Sequence, residues 1–268
     1  MSLNEINIVD ALARTTASDH SPCVGHCTYD AQDYCLSCRR HTDEIGQWRD
    51  AEDGLRQAAW DRIPAEIDAV GLETMRLPLS PDDIITIAIE TLDQGGSWAV
   101  GAKGCYAYGH DLLSEEDGVL RAADAEGKAE VTLDLSGKMR AVAWTRGAST
   151  GRKLADGIGG LPLLLVVPRV RLTLPIHDTP TVLEDGMTDC GLGLAHCQMM
   201  TAGDDLYINT MLARAKMPRS KHGLADGGIA DGGFANGGFD GPDLPQGLVL
   251  PESYALAAVI LPKGEALL

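Results

Sequence analysis

Four of the chain's seven cysteines fall in one short segment, as Cys23-x3-Cys27, seven residues, then Cys35-x2-Cys38. This spacing constrains folding more than any other feature. A Cys-x2-Cys turn aims two thiolates at one point. Two such pairs close together offer four soft donors to a tetrahedral ion or an iron–sulfur cluster. Gly25 and Ser37 place small residues inside the two turns, and Asp30-Ala31-Gln32-Asp33 supplies a turn between the halves. His26 and His41 flank the segment, where each could replace a cysteine or stay outside the ligand set. The competing explanations are two disulfides or four unrelated thiols. The seven cysteines are an odd number, and the chain is expected in the reducing cytoplasm, so metal thiolates or free thiols are favoured over disulfides. Cys23, Cys27, Cys35 and Cys38 are therefore the expected ligands of one site. A closed four-thiolate set with no redox partner in view favours Zn²⁺, with an iron–sulfur cluster as the alternative. Bonds of ~2.3 Å at tetrahedral angles would hold the sulfurs about 3.5–4 Å apart.

The cytoplasmic expectation rests on what the ends and the apolar runs lack. Met1 to Asp19 contains no cationic start followed by an apolar stretch. The apolar runs, Leu161 to Val167 among them, are far short of the ~20 residues that span a bilayer. No membrane partner is expected. Net charge is −17, which repels a phosphate backbone, and the local cluster Arg39-Arg40-His41 offsets this only slightly. Nucleic acid is not an expected partner either.

After Cys38 the pattern turns helical. Thr42 can cap, Asp43 and Glu44 suit a first turn, and Ile45, Trp48 and Arg49 fall at helical spacing. A second amphipathic stretch runs from Gly54 to Arg62 with Leu55, Ala58, Ala59 and Trp60, and Pro64 opens a further short turn from Ala65 to Val70. A module spanning 18–70 cannot bury much core, so a metal is expected to supply part of its folding free energy.

Ser-Pro-Cys-x3-Cys, Cys-x2-Cys-x-Arg, Thr-Asp-Glu-Ile-x-x-Trp and Arg-Ile-Pro together resemble a small proteobacterial domain, domain of unknown function 1289, over Ser21 to Ile67. That family is commonly labelled a predicted iron–sulfur protein. The resemblance implies a metal or cluster site at Cys23, Cys27, Cys35 and Cys38, and implies no reaction.

A second unit is expected over 80–268, joined through Gly71 to Leu79. Ser80-Pro81-Asp82-Asp83 is a helix start, with Ile84, Ile85, Ile87, Ala88, Ile89 and Leu92 as its apolar face and Gly95-Gly96 as its stop. Trp98 to Tyr108 alternates as a strand. Val131 to Leu135 and Met139 to Trp144 suggest a hairpin through Ser136-Gly137. Leu161 to Val167, Val170 to Leu174 and Tyr254 to Leu261 suggest further strands, and Asp204-Asp205 suggests a helix to Lys216. The expected class is α+β: a small helical metal-binding module, then a domain with a mainly antiparallel sheet. Gly96-Ser97-Trp98-Ala99-Val100-Gly101 and Asp189-Cys190-Gly191-Leu192-Gly193-Leu194 loosely resemble an uncharacterised bacterial family, which implies no activity.

Other candidate chemistry is weaker. Gly147 to Lys153 lacks phosphate-loop spacing, because its glycines are too close and no Ser or Thr follows Lys153. The near-repeat Leu-Ala-Asp-Gly-Gly, within a glycine-rich insertion at 223–243, carries Asp226, Asp231, Asn236 and Asp240 but not the order of a calcium nonapeptide, so a surface insertion is expected. Cys190, His196 and Cys197, with His177 and Asp178, could form a second metal site or a Cys–His pair, and His110-Asp111 could do acid–base work. Core thiols, Cys105 among them, and solvated loops explain these with fewer assumptions. The reading is a cytoplasmic metal-binding protein acting as an accessory, regulatory or interaction factor with a protein partner. The alternatives are an iron–sulfur oxidoreductase or electron carrier, and a small-molecule enzyme with a pocket in the C-terminal domain.

Overall fold

The computed structural model describes Ala11 and residues 21–102, 105–137, 139–145, 153–157, 159–219, 248, 250–265 and 267. Its elements are helices α1 (Thr42–Gln47), α2 (Asp53–Ala69) and α3 (Pro81–Asp93), and strands β1 (Thr74–Arg76), β2 (Ser97–Ala102), β3 (Cys105–Gly109), β4 (Asp111–Glu116), β5 (Val119–Ala123), β6 (Glu130–Asp134), β7 (Arg140–Trp144), β8 (Leu163–Pro168), β9 (Thr181–Val182), β10 (Thr188–Asp189), β11 (Gln198–Ala202), β12 (Asp205–Asn209), β13 (Ala213–Pro218) and β14 (Tyr254–Leu261). The class is α+β, and the strand pairs described are antiparallel.

The strands form two sheets. One has the order β1-β7-β8-β14-β2-β3, the other β4-β5-β6-β13-β12-β11-β10-β9. The chain passes from one sheet to the other at His110, between β3 and β4. Period-two alternation sorts the side chains. Trp98, Val100, Ala102 and Ala107 share one buried cluster with Val131, Leu133, Leu206, Ile208, Ala215 and Met217 of the second sheet. The opposite face of the first sheet carries Ala99, Tyr106, Val142, Trp144, Leu164, Val166 and Val259 in a second cluster. Buried on both faces, β8 and β14 are continuous apolar runs. At the far edge of the second sheet, all six residues of β4 are exposed, and its register with β5 shifts between Leu112 and Ser114.

The helices close the main cluster. Ser80 caps α3 through a reciprocal box: its Oγ accepts from Asp83 N–H at 3.1 Å while Asp83 Oδ2 accepts from Ser80 N–H at 3.1 Å. Ile84, Ile87, Ala88 and Leu92 then face inward, and Trp98 Nε1 donates to the Ala88 carbonyl at 2.9 Å, tying helix to sheet. Gly96 follows because a Cβ there would lie 2.4 Å from the Leu261 carbonyl. From α2, Ala59, Trp60, Ile63 and Ile67 enter the same cluster, as does Trp48. Residues of the expected 18–70 unit and both sheets thus share one core.

Several expected elements differ. Instead of a turn after Pro64, α2 runs unbroken through it. The proline forgoes one backbone hydrogen bond at about 3 kcal/mol, and burial of Trp60, Ile63 and Ile67 offsets that cost. His41, not Thr42, is the N-cap of α1. The stretch from Asp204 to Lys216 is not a helix but the hairpin β12–β13, turned at Thr210, whose N–H donates to Ala213 O at 2.8 Å. The alternation of buried Ala213, Ala215 and Met217 with exposed Arg214 and Lys216 outweighs the helical spacing of Leu206, Met211 and Ala215. Trp98 to Tyr108 forms two paired strands, β2 and β3. Strands β6 and β7 do not form a hairpin, for each joins a different sheet. Val170 to Leu174 is not a strand, since the chain makes a short 3-10 turn at Arg169–Arg171 and leaves Val170 exposed. Among the described residues, no helix is long and apolar enough to cross a membrane.

Candidate metal centre

The cysteine segment is built by a few backbone bonds. Asp30 Oδ1 accepts from the N–H groups of Gln32 and Tyr34, both at 3.0 Å, which closes the turn that Asp30 to Asp33 was expected to make. These bonds, the Tyr34 N–H first, hold the Asp30 carboxyl below its ordinary range, and Arg39 adds to the effect. The turn folds the two halves back on each other: Tyr29 bridges Cys35, and Leu36 N–H donates to Thr28 O at 2.7 Å. Arg39, with φ +56°, reverses the chain again, so that Cys35 N–H donates to Arg40 O at 2.8 Å and Arg39 N–H to Cys35 O at 2.9 Å.

The thiols meet across this fold. The Cys35 sulfur lies 3.9 Å from the His26 carbonyl, in the opposite half. Cys35 exchanges side-chain hydrogen bonds with Cys38 and with Cys27, and Cys27 in turn feels the charges of Cys23 and Cys35. The backbone supplies donors as well. Gly25 N–H points at Cys23 Sγ at 3.3 Å, and the N–H groups of Ser37 and Cys38 point at Cys35. In each half the first cysteine is cradled by amides from residues just after it. The Cys38 hydrogen bond, with those amides, brings the Cys35 thiol well below its ordinary value. The same bond, with burial, pushes Cys38 up, and burial raises Cys27. Amide donors and a lowered thiol suit a metal-thiolate set. Among the described residues, no three His, Cys, Asp or Glu side chains already stand as a cage for an ion. The donor chemistry nonetheless fits a soft divalent ion or a cluster, with Cys23 and Cys27 the less buried pair. His26 is exposed with its ring 3.1 Å from the Thr28 hydroxyl, and His41 is committed to capping α1.

The two halves rest on different supports. The Cys23 carbonyl accepts from Arg76 Nη1 at 2.9 Å and from the Tyr254 hydroxyl at 3.3 Å. The Ser253 hydroxyl donates to the Val24 carbonyl, and the Val24 side chain joins the outer cluster of the first sheet. The Cys35–Cys38 half is held by α1 and α2 instead: Arg62 donates to Arg39 O at 3.0 Å and pairs with Glu44 and Glu66 at 2.7 and 2.6 Å. Arg39 and Arg62 lie over the Tyr34 ring, and Arg40 lies 4.5 Å over Trp48. The sequence reading weighs Arg39 and Arg40 only as a local basic cluster and misses this network. The Cys-x2-Cys-x-Arg spacing was the signal that could have found it.

Elsewhere the candidates are structural. Burial pushes the Cys105 thiol up to about 11, and Cys190 to about 12 with Asp189 adding to the effect. His196 and Cys197 are both buried beside the start of β11. Asp189 is committed to Gly191 N–H at 2.8 Å and Gln198 Nε2 at 2.6 Å. The cavity shared by His177, Asp189 and Cys197 is about 10 Å³, room for a water at most. His110 lines a cavity of about 170 Å³ with Tyr106, Tyr108, Asp124 and Glu126, below the ~300 Å³ at which pockets for drug-sized ligands begin. Asp178 Oδ1 lies against the Gly193 backbone. The Gly147 to Arg152 part of the rejected phosphate loop and the glycine-rich insertion at 223–243 lie outside the described residues.

Residues 21–67 match a protein family described as "Protein of unknown function (DUF1289)". The matched span holds all four clustered cysteines, Arg40, Trp48 and Arg62, and stops short of the Gly96–Gly101 and Asp189–Leu194 segments. No curated protein and no solved structure is found to be similar to the chain.

Proposed function

We propose that this protein binds one metal centre through Cys23, Cys27, Cys35 and Cys38 and acts as an accessory or regulatory factor through a protein partner. The observation that carries the reading is the amide cradle: backbone N–H groups of Gly25, Ser37 and Cys38 aimed at the first sulfur of each cysteine pair. A neutral thiol gains little from such donors, whereas a thiolate accepts charge-assisted hydrogen bonds from them. Zn²⁺ suits the site as a structural ion, and the centre then joins the Cys23–Cys27 half, carried by the first sheet, to the Cys35–Cys38 half, carried by α1 and α2. An iron–sulfur cluster for electron transfer is the second reading, favoured by the exposure of Cys27, which would bring a redox centre to the surface. The test is elemental analysis and a visible spectrum of protein purified without oxygen. One zinc per chain and no colour supports the first reading. Iron with sulfide and a visible band supports the second. Protein that retains neither, and takes up neither on reconstitution, refutes the proposal.

A further inference from the structure

A guanidinium taken out of water needs an anion to face it. The other arginines around the cysteine segment have acceptors. Arg39 pairs with Asp30 at 2.9 Å, Arg62 with Glu44 and Glu66, and Arg56 with Asp53 at 3.3 Å, while Arg76 donates to the Cys23 carbonyl. Arg40 is different. It is 3% exposed, no carboxylate pairs with it among the described residues, and its Nε has no acceptor there. Its guanidinium sits 4.5 Å over the Trp48 ring and beside Cys38, itself 2% exposed. The aromatic face offers a partial counterweight but no net charge. Its backbone is pinned too, since Arg40 O accepts from Cys35 N–H, and so the side chain is aimed from within the cysteine turn itself.

We propose that Arg40 is the built-in counter-charge of the metal centre. Four thiolates around a divalent ion leave a net charge of two minus, and Arg40 is the buried cation that faces it from the Cys38 side. Arg40 is a positioning residue rather than a ligand, because a guanidinium has no lone pair to give. This rests on the metal-binding reading above and goes further, for it assigns the centre's charge and names the group that balances it.

Zinc affinity of the full chain, measured by competition with a chromophoric chelator, tests the proposal. Arg40→Met keeps an apolar stem on Trp48 and removes the charge. It is expected to weaken zinc binding ~10- to 100-fold, the range seen for outer partners of metal ligands. Arg40→Lys should recover part of that loss. Far-ultraviolet circular dichroism of each variant establishes that the fold persists. Affinity of Arg40→Met within about twofold of the parent would overturn the proposal, being well inside that range. Should Arg40→Met not fold, Arg40→Lys and Arg40→Gln decide: the charged lysine variant is expected to bind zinc more tightly than the neutral glutamine variant, and equal affinities overturn the proposal. A parent protein that binds no zinc or iron at all would instead refute the metal reading, and this inference with it.

Discussion

Cys35 is where the two halves of the cysteine segment meet, hydrogen-bonded to Cys38 and Cys27 and cradled by two amides. Replacing it removes both a donor and the acceptor of those bonds. Cys35→Ser is expected to abolish stoichiometric metal binding, while Cys105→Ala leaves it unchanged, as metal analysis of the two purified variants would reveal. Cys105 carries its own prediction. Burial raises its thiol from 9.0 to about 11 in the folded chain. Between those values the folded state holds the proton and the unfolded state releases it, so stability is complete below pH 9 and falls as pH rises toward 11. The loss from this one group is on the order of 2–3 kcal/mol. Urea denaturation between pH 8 and 11 should therefore fall less steeply for Cys105→Ala than for the parent. A slope unchanged by that substitution would contradict the assignment. At this scale the turn that brings Cys35 to Cys27 and Cys38 was legible, because Cys spacing is a local property. The arginine and tryptophan around them were not, because Arg40 meets Trp48 only after Arg39 has turned the chain through a left-handed conformation.

Helix α3 is the element the sequence announced most clearly, with its N-cap serine, first-turn proline and acids all local signals. Ser80→Ala should cost about 1 kcal/mol in urea denaturation. Because Ser80 and Asp83 serve each other, the loss in Ser80→Ala/Asp83→Ala should be smaller than the sum of the two single losses. The β12–β13 hairpin was misread for the opposite reason. Leu206, Ile208, Met211, Leu212 and Ala215 satisfy a helical stripe and, in part, an alternating one. The deciding contacts come from β6, far away in sequence, and from β11, which hairpins onto β12. Strands β6 and β7 were both recognised, but which sheet each joins depends on partners the short Ser136-Gly137 connection does not reveal.

At the scale of the whole molecule, the cysteine segment is attached to two bodies of structure at once. Arg76, Ser253 and Tyr254 hold Cys23 and Val24, while Trp48, Trp60 and Ile63 sink the helical side into the main core. If the proposed centre is filled, chelation should therefore raise amide hydrogen exchange across residues 21–47. Helix α2 and strands β7, β8 and β14 should stay protected, because their burial does not depend on the thiols. Equal loss of protection in β8 and β14 would show that the proposed centre holds up the entire core. Strand β4 has a different consequence, for the company the molecule keeps in concentrated solution. A fully exposed outermost strand offers unpaired backbone groups to any second chain. Here Asp111, Glu115 and Glu116 line that strand, and the register shift past Leu112 breaks its regularity. A neighbour approaching to extend the sheet meets carboxylates and an irregular ladder. Glu115→Val/Glu116→Thr should turn that margin adhesive, and light scattering should then rise with concentration where the parent protein's does not.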